Sequence, residues 1–400
     1  MGRGRHTPDR NGPGVSENKP STRLIHIRGP RLDPPVVNPP LERASTVLFD
    51  DPERLYADKP SYARMGLGVH RELEAALGAL EGAQGVQLAP SGLAACALAI
   101  ASLVEAGDHV LIADTLYGPT RRFCEKRLKR MGVEVTRFPP RIGRGIERLF
   151  QPNTRAIYLE SPGSLTFEIM DTPALVEAAG SRDIYTVMDN TWSGGLYHQP
   201  LALGVDLSVQ ALTKYAIGHA DGFGGAVMAR SAALAQKVLE CAGEWGIALG
   251  PEEAWLALRG LRTLSTRLRA HDEAARKLAA WLEARPEVAR LIHPAFDSHP
   301  DHAIWKRDFT GASGLFGFVL QPQPDGAVNA FLRALDLFGM GFSWGGFESL
   351  LIPCDPQLRR LPGDWTQERP GPLMRIHVGL EDPDDLIADL EAAMQHLSAG

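Results

Sequence analysis

Six short apolar runs punctuate the middle of the chain, at 86–88, 109–113, 155–160, 184–188, 207–212 and 226–229. Each is bounded by turn residues, and runs of this kind read as buried strands. Helical spacing fills the intervals. Leu73, Leu77 and Leu80 share one face of a segment that Glu81-Gly82 stops, and a small-residue apolar helix opens after Ser91. Strand, turn and helix alternate from about 85 to 230, which predicts an α/β fold with a mostly parallel central sheet and right-handed crossovers.

The flanks follow other patterns. Residues 21–65 carry Pro30, Pro34, Pro35, Pro39, Pro40, Pro52 and Pro60. So proline-rich a segment is expected to form neither an ordinary helix nor a central strand, but an arm that is disordered or wrapped over a neighbour. Beyond about 250, a largely helical stretch at 252–284 puts Leu258, Leu261, Leu264 and Leu268 on one buried stripe, with Arg259, Arg262, Arg267 and Arg269 expected on other faces. Runs at 314–320 and 375–379 read as strands of a smaller α+β domain. The expected division is a disordered tail at 1–20, an arm at 21–65, a large domain at 66–250 and a C-terminal domain at 251–400.

Composition adds exclusions. With 42 Lys and Arg against 48 Asp and Glu, the net charge of −6 points to neither nucleic acid nor an anionic membrane. No apolar run has the length of a membrane span, and the first twenty residues hold no secretory-type hydrophobic segment, so the expected compartment is the cytoplasm. Cys96, Cys124, Cys241 and Cys354 are far apart and form no CxxC pair, which argues against zinc and a disulfide framework. Each is expected to be a small buried hydrophobe.

The candidate chemistry gathers between 184 and 225. Asp189 ends one apolar run and Lys214 lies just past the next, and ligands in open α/β sheets collect at the carboxyl ends of strands. Pyridoxal phosphate needs both groups, a lysine amine for its aldehyde and a carboxylate for its ring nitrogen. A plain salt bridge at a sheet edge is the competing reading. Thr213, which offers a hydroxyl to a phosphate, and the glycines that follow favour the cofactor. The turn Ser91-Gly92-Leu93 at a helix start could cradle the phosphate with backbone N–H groups, or could be a serine-capped core helix. Arg375 opens a strand with few charges nearby, so it needs an anion, either a carboxylate ligand or an internal partner such as Glu381 or Asp382.

The motifs Asp189-Asn190-Thr191-Trp192 and 206–221, with Thr213-Lys214-Tyr215 at its centre, resemble the signature of the Cys/Met-metabolism family of pyridoxal-phosphate enzymes, over about residues 20 to 397. The resemblance implies a fold of the type I pyridoxal-phosphate transferase class. It implies Lys214 as the cofactor lysine and Asp189 as the partner of the ring nitrogen. Tyr117, just past a strand end, would stack on the ring and shuttle protons. Tyr62 and Arg64 would cross to the phosphate of an adjacent subunit, in a homo-oligomer, a tetramer built from dimers that share active sites. Arg375, Ser343 and Trp344 would contact a small amino-acid substrate, and the Ser-Trp pair is similar to the β-acting lyases that cleave cystathionine to homocysteine, pyruvate and ammonia. Rival readings are a γ-acting lyase or synthase, a cysteine or cystine lyase, and an aminotransferase. Two positions depart from the pattern. Ala211 stands where many relatives have a phosphate-binding serine, and Phe342 where some β-lyases have tyrosine.

Overall fold

The computed structural model describes residues 19–27, 36–57, 60–362, 365 and 371–398. The tail expected at 1–20 therefore lies outside the described residues, apart from Lys19 and Pro20.

A seven-stranded sheet forms from β1 (Gly85–Ala89), β2 (His109–Ala113), β3 (Glu134–Phe138), β4 (Thr154–Glu160), β5 (Tyr185–Asp189), β6 (Leu207–Gln210) and β7 (Gly225–Ala229), in the order β1-β7-β6-β5-β4-β2-β3. Only β7 runs against its neighbours, pairing antiparallel with both β1 and β6. The apolar runs expected from the sequence are these strands; β3, half-exposed and mixed in composition, gave no such signal. Helices cover the sheet, with Val110, Leu111, Ile112, Ile157, Val187 and Val209 wholly buried between the layers. Truncating a residue in such a core costs about 2–5 kcal/mol, so the strand ends that carry the chemistry stand on a rigid base.

A smaller antiparallel sheet, β10-β11-β9-β8, comprises β8 (Val288–Ile292), β9 (Leu315–Leu320), β10 (Leu350–Pro353) and β11 (Leu373–His377). The 252–284 helix is two helices, Pro251–Leu261 and Leu264–Glu283, the first closing at Arg262 and the second opening from Thr263 at φ −111° and ψ 5°. Thr263 Oγ1 donates to Gly260 O, a local bond of the kind that competes with continued helix. The leucine stripe is buried as expected. Arg267 is not on an outer face. It is buried, donating to Gly260 O at 2.7 Å and to Thr263 Oγ1 at 3.1 Å, in space left because Gly218 has no side chain.

The described part of the arm also departs from expectation. Pro20–His26 and Pro52–Ala57 are short helices, each opening on its own proline, the one helical position where proline loses nothing. The first docks on its own chain: Leu24 is buried, and Arg23 Nη2 donates to Ala79 O at 2.8 Å.

Candidate active site

Asp189 closes β5, and Lys214 lies four residues past the end of β6, the neighbouring strand. Asp189 Oδ1 accepts the Thr191 N–H at 3.0 Å and the Thr191 hydroxyl at 2.6 Å. The same hydroxyl oxygen accepts the Ala211 N–H at 2.9 Å, so one side chain joins the ends of both strands. Asp189 Oδ2 has a weaker partner, the Cys96 thiol at 3.6 Å. Cys96 is thus buried as expected, but it also faces a carboxylate. Burial raises the Asp189 pKa, opposed by its Thr191 bonds.

A second buried carboxylate stands beside it. Glu160 is in register with Asp189 on β4, accepting the Tyr117 N–H at 2.6 Å and a short bond from the Ser164 hydroxyl. Burial, then the Asp189 charge, push the Glu160 pKa well up. Two acids in one dry place leave a deficit of positive charge there.

Lys214 meets a loop from the far end of the chain. Its Nζ lies 2.7 Å from Ser343 Oγ and 5.2 Å from the centre of the Trp344 ring. Burial, then the Arg375 charge, lower the lysine pKa to about 8, while Asp189 opposes them. Ser343 has φ +81° and Gly345 φ +86°. A side chain at Gly345 would come within 2.9 Å of Tyr215 N and 3.1 Å of Lys214 Cα, so glycine is what lets the loop lie on the lysine backbone. Ser343 O accepts from Arg375 Nη2 at 3.0 Å. Arg375 is 9% exposed, and no carboxylate pairs with it among the described residues. The internal partners considered for it are occupied elsewhere, Glu381 by Ser349 and Asp382 by the helix it caps.

At the helix Gly92–Ala101, Ser91 caps the first turn, its Oγ accepting the Ala94 N–H at 3.1 Å. Gly92 packs on Ala211: a Cβ on the glycine would collide with the alanine side chain, which brings the helix N-terminus up to the strand that leads to Lys214. Leu93 is exposed, and Thr213 Oγ1 is shared with Gly224, accepting its N–H at 3.1 Å.

The family model for Cys/Met metabolism PLP-dependent enzymes matches residues 21–395. The chain belongs to this family. It is 41% identical to the cystathionine beta-lyase of Salmonella typhimurium, over 96% of this chain and 100% of that protein. It is 40% identical to that of Escherichia coli, again over 96% of this chain and 100% of the other. A solved cystathionine gamma synthase from Xanthomonas oryzae pv. oryzae, in complex with cystathionine, matches with a TM-score of 0.89 at 29% identity, covering 95% of this chain and 98% of that one.

The residues of this chain fit pyridoxal phosphate. A ring nitrogen bearing a proton answers the acceptor Oδ2 and the charge deficit between Asp189 and Glu160. A depressed lysine amine lies one strand away. A helix N-terminus, brought close by Gly92, offers N–H groups to an anion.

Other site residues take different positions. Tyr117 is 44% exposed beside the Glu160 pair, its N–H held by that carboxylate. Tyr62 and Arg64 are exposed and contact one another at 6.0 Å, and their backbone bonds stay within the arm. In this chain they do not join the Lys214 group. Glu160, Thr191 and Cys96 have no assigned role from sequence. For Glu160 a usable signal existed: an acid ending an apolar strand just before Ser161-Pro162-Gly163.

Proposed function

We propose that this protein is a pyridoxal-phosphate carbon–sulfur lyase that cleaves the Cβ–S bond of cystathionine, giving homocysteine, pyruvate and ammonia. The observation that carries the reading is the Trp344 indole lying over Lys214 while Ser343 of the same loop holds the amine. A bulky ring there shortens the space available beyond the substrate's Cβ. The Salmonella typhimurium and Escherichia coli relatives, each matched over its full length, carry this activity in their names.

In this reading Lys214 would hold the cofactor, Asp189 would pair with its ring nitrogen and Tyr117 would contact its ring. The Ser91-Gly92-Leu93 N–H groups and the Thr213 hydroxyl would bind its phosphate. When bound, the cofactor supplies an electrophilic carbon for the substrate amine and a ring that accepts electrons from Cα. Lys214, released by the substrate, is an amine with a pKa near 8, suited to taking the Cα proton and returning one to the departing sulfur. Arg375 receives the substrate carboxylate with its fork held by Ser343 O, which orients Cα–H toward the lysine. Burial keeps the Tyr117 phenol protonated, so it can donate to the leaving group. Asp189 keeps its charge opposite the ring once a cation pairs with it.

Tyr62 and Arg64, exposed in this chain, would complete the phosphate site of a second copy, which makes the working unit a dimer and the assembly a tetramer of two such dimers in the cytoplasm. The test is thiol release from cystathionine by the holoenzyme. The reading predicts steady release that Lys214→Ala abolishes; no release from a cofactor-loaded protein would defeat it.

A further inference from the structure

The strand Leu373–His377 sends Arg375 and His377 to the same face, two residues apart. Both reach the loop that covers Lys214. Arg375 holds Ser343 O at 3.0 Å. His377 Nε2 lies 3.1 Å from Gly345 N and 3.1 Å from Gly346 O, and the ring is wholly buried. Between these two grips lie Ser343 at φ +81° and Trp344, the residues that touch the lysine. A non-glycine residue in this left-handed region persists only where its surroundings over-determine it.

We propose that His377 is a positioning residue for Lys214: by tying down Gly345-Gly346 it keeps the strained Ser343 turn in place and so delivers Ser343 Oγ to the amine. In one tautomer the ring accepts the Gly345 N–H, in the other it donates to Gly346 O; either bond fastens the loop. The ring itself is braced. His271, from the helix Leu264–Glu283, has Nδ1 at 2.8 Å from Val378 O and 3.1 Å from Gly379 O, the two residues after His377. The His271 and His377 rings are 5.3 Å apart, and Tyr215, next in sequence to Lys214, lies 5.3 Å from the first and 6.0 Å from the second. His271 Nε2 and His377 Nδ1 are both buried without a hydrogen-bond partner among the described residues. Burial lowers the two imidazole pKa values to about 4 and about 3, so the wedge adds no third positive charge next to Lys214 and Arg375. A lysine or arginine at this position could bond the loop but would repel the amine it is meant to place.

The inference rests on Lys214 being the cofactor lysine and is independent of which substrate is cleaved. Two holoenzyme variants test it. In His377→Gln the amide can accept from Gly345 and donate to Gly346; in His377→Leu the space is filled and neither bond forms. Expected for His377→Leu is a fall in kcat of about tenfold or more with KM changed by less than about threefold, because Arg375 still binds the carboxylate. The pH midpoint of the lysine–cofactor absorbance band should also move by about half a unit or more. His377→Gln should restore both readouts to near wild type. If the leucine variant does not fold, His377→Asn, whose shorter amide cannot reach the loop, takes its place with the same expectation. Equal behaviour of the glutamine and leucine variants, or a leucine variant changed only in melting temperature, would overturn the proposal. Persistence of the absorbance band in Lys214→Ala would remove the lysine from its role first, a failure that the His377 variants cannot mimic.

Discussion

Glu160 and Asp189 face the same dry space from neighbouring parallel strands, paired in register at the last residue of each. Their carboxylates have different tasks. Asp189 presents Oδ2 to the site, whereas both Glu160 oxygens accept hydrogen bonds, from the Tyr117 N–H and the Ser164 hydroxyl. Burial and the Asp189 charge favour the protonated form of Glu160. Glutamine imitates that form and keeps an acceptor for Tyr117. Glu160→Gln should therefore retain kcat/KM within about tenfold of wild type. Glu160→Ala, which leaves the Tyr117 N–H unpaired at a cost of roughly 1–3 kcal/mol, should lose more. Equal losses in the two variants would contradict this account of the pair.

Thr191 joins two strand ends through one oxygen, donating to Asp189 Oδ1 and accepting from Ala211 N. Thr191→Val preserves shape and removes both bonds. The Ala211 N–H then lacks its partner, and the expected destabilisation is about 1–3 kcal/mol, read from chemical denaturation. Cofactor affinity should fall as well, because Asp189 loses one of the bonds that hold its charge. A variant as stable as wild type would show that the bridge is dispensable.

Glu81 supports the sheet from beneath, accepting from Ser208 Oγ at 2.5 Å and Gln210 Nε2 at 2.7 Å on β6. Burial raises its pKa from 4.5 to about 7. A carboxyl that binds its proton more tightly when folded contributes stability that is complete below the unfolded pKa and is lost as pH rises through the folded one. Here that window runs from 4.5 to about 7. The stability difference between Glu81→Gln and wild type should shift in the variant's favour by roughly 3 kcal/mol between about pH 5 and pH 8. A difference that stays flat with pH would refute it.

Much of this was legible in the sequence because the relevant signals are local. Apolar runs ending at Asp189 and before Lys214 located both groups at strand ends, and the Ser91-Gly92 turn announced a helix start. What escaped depends on register and distant packing. Nothing near Glu160 in the chain says that it will lie beside Asp189; the β4–β5 pairing decides that. Arg267 read as a surface arginine because helical spacing cannot show the space opened by Gly218, 49 positions away (267 − 218). β8 and β10 are short and partly exposed, so they give no clean alternation. The proline count in the arm was right about composition and wrong about Pro52, which starts a helix instead of preventing one.

The central claim is that the Lys214 amine, walled by Trp344, directs elimination at Cβ. The most direct test is to incubate the holoenzyme with cystathionine and identify the keto acid and the thiol by mass. Pyruvate with homocysteine is the predicted pair. Oxobutyrate with cysteine would contradict the account and place the bond cleavage at Cγ.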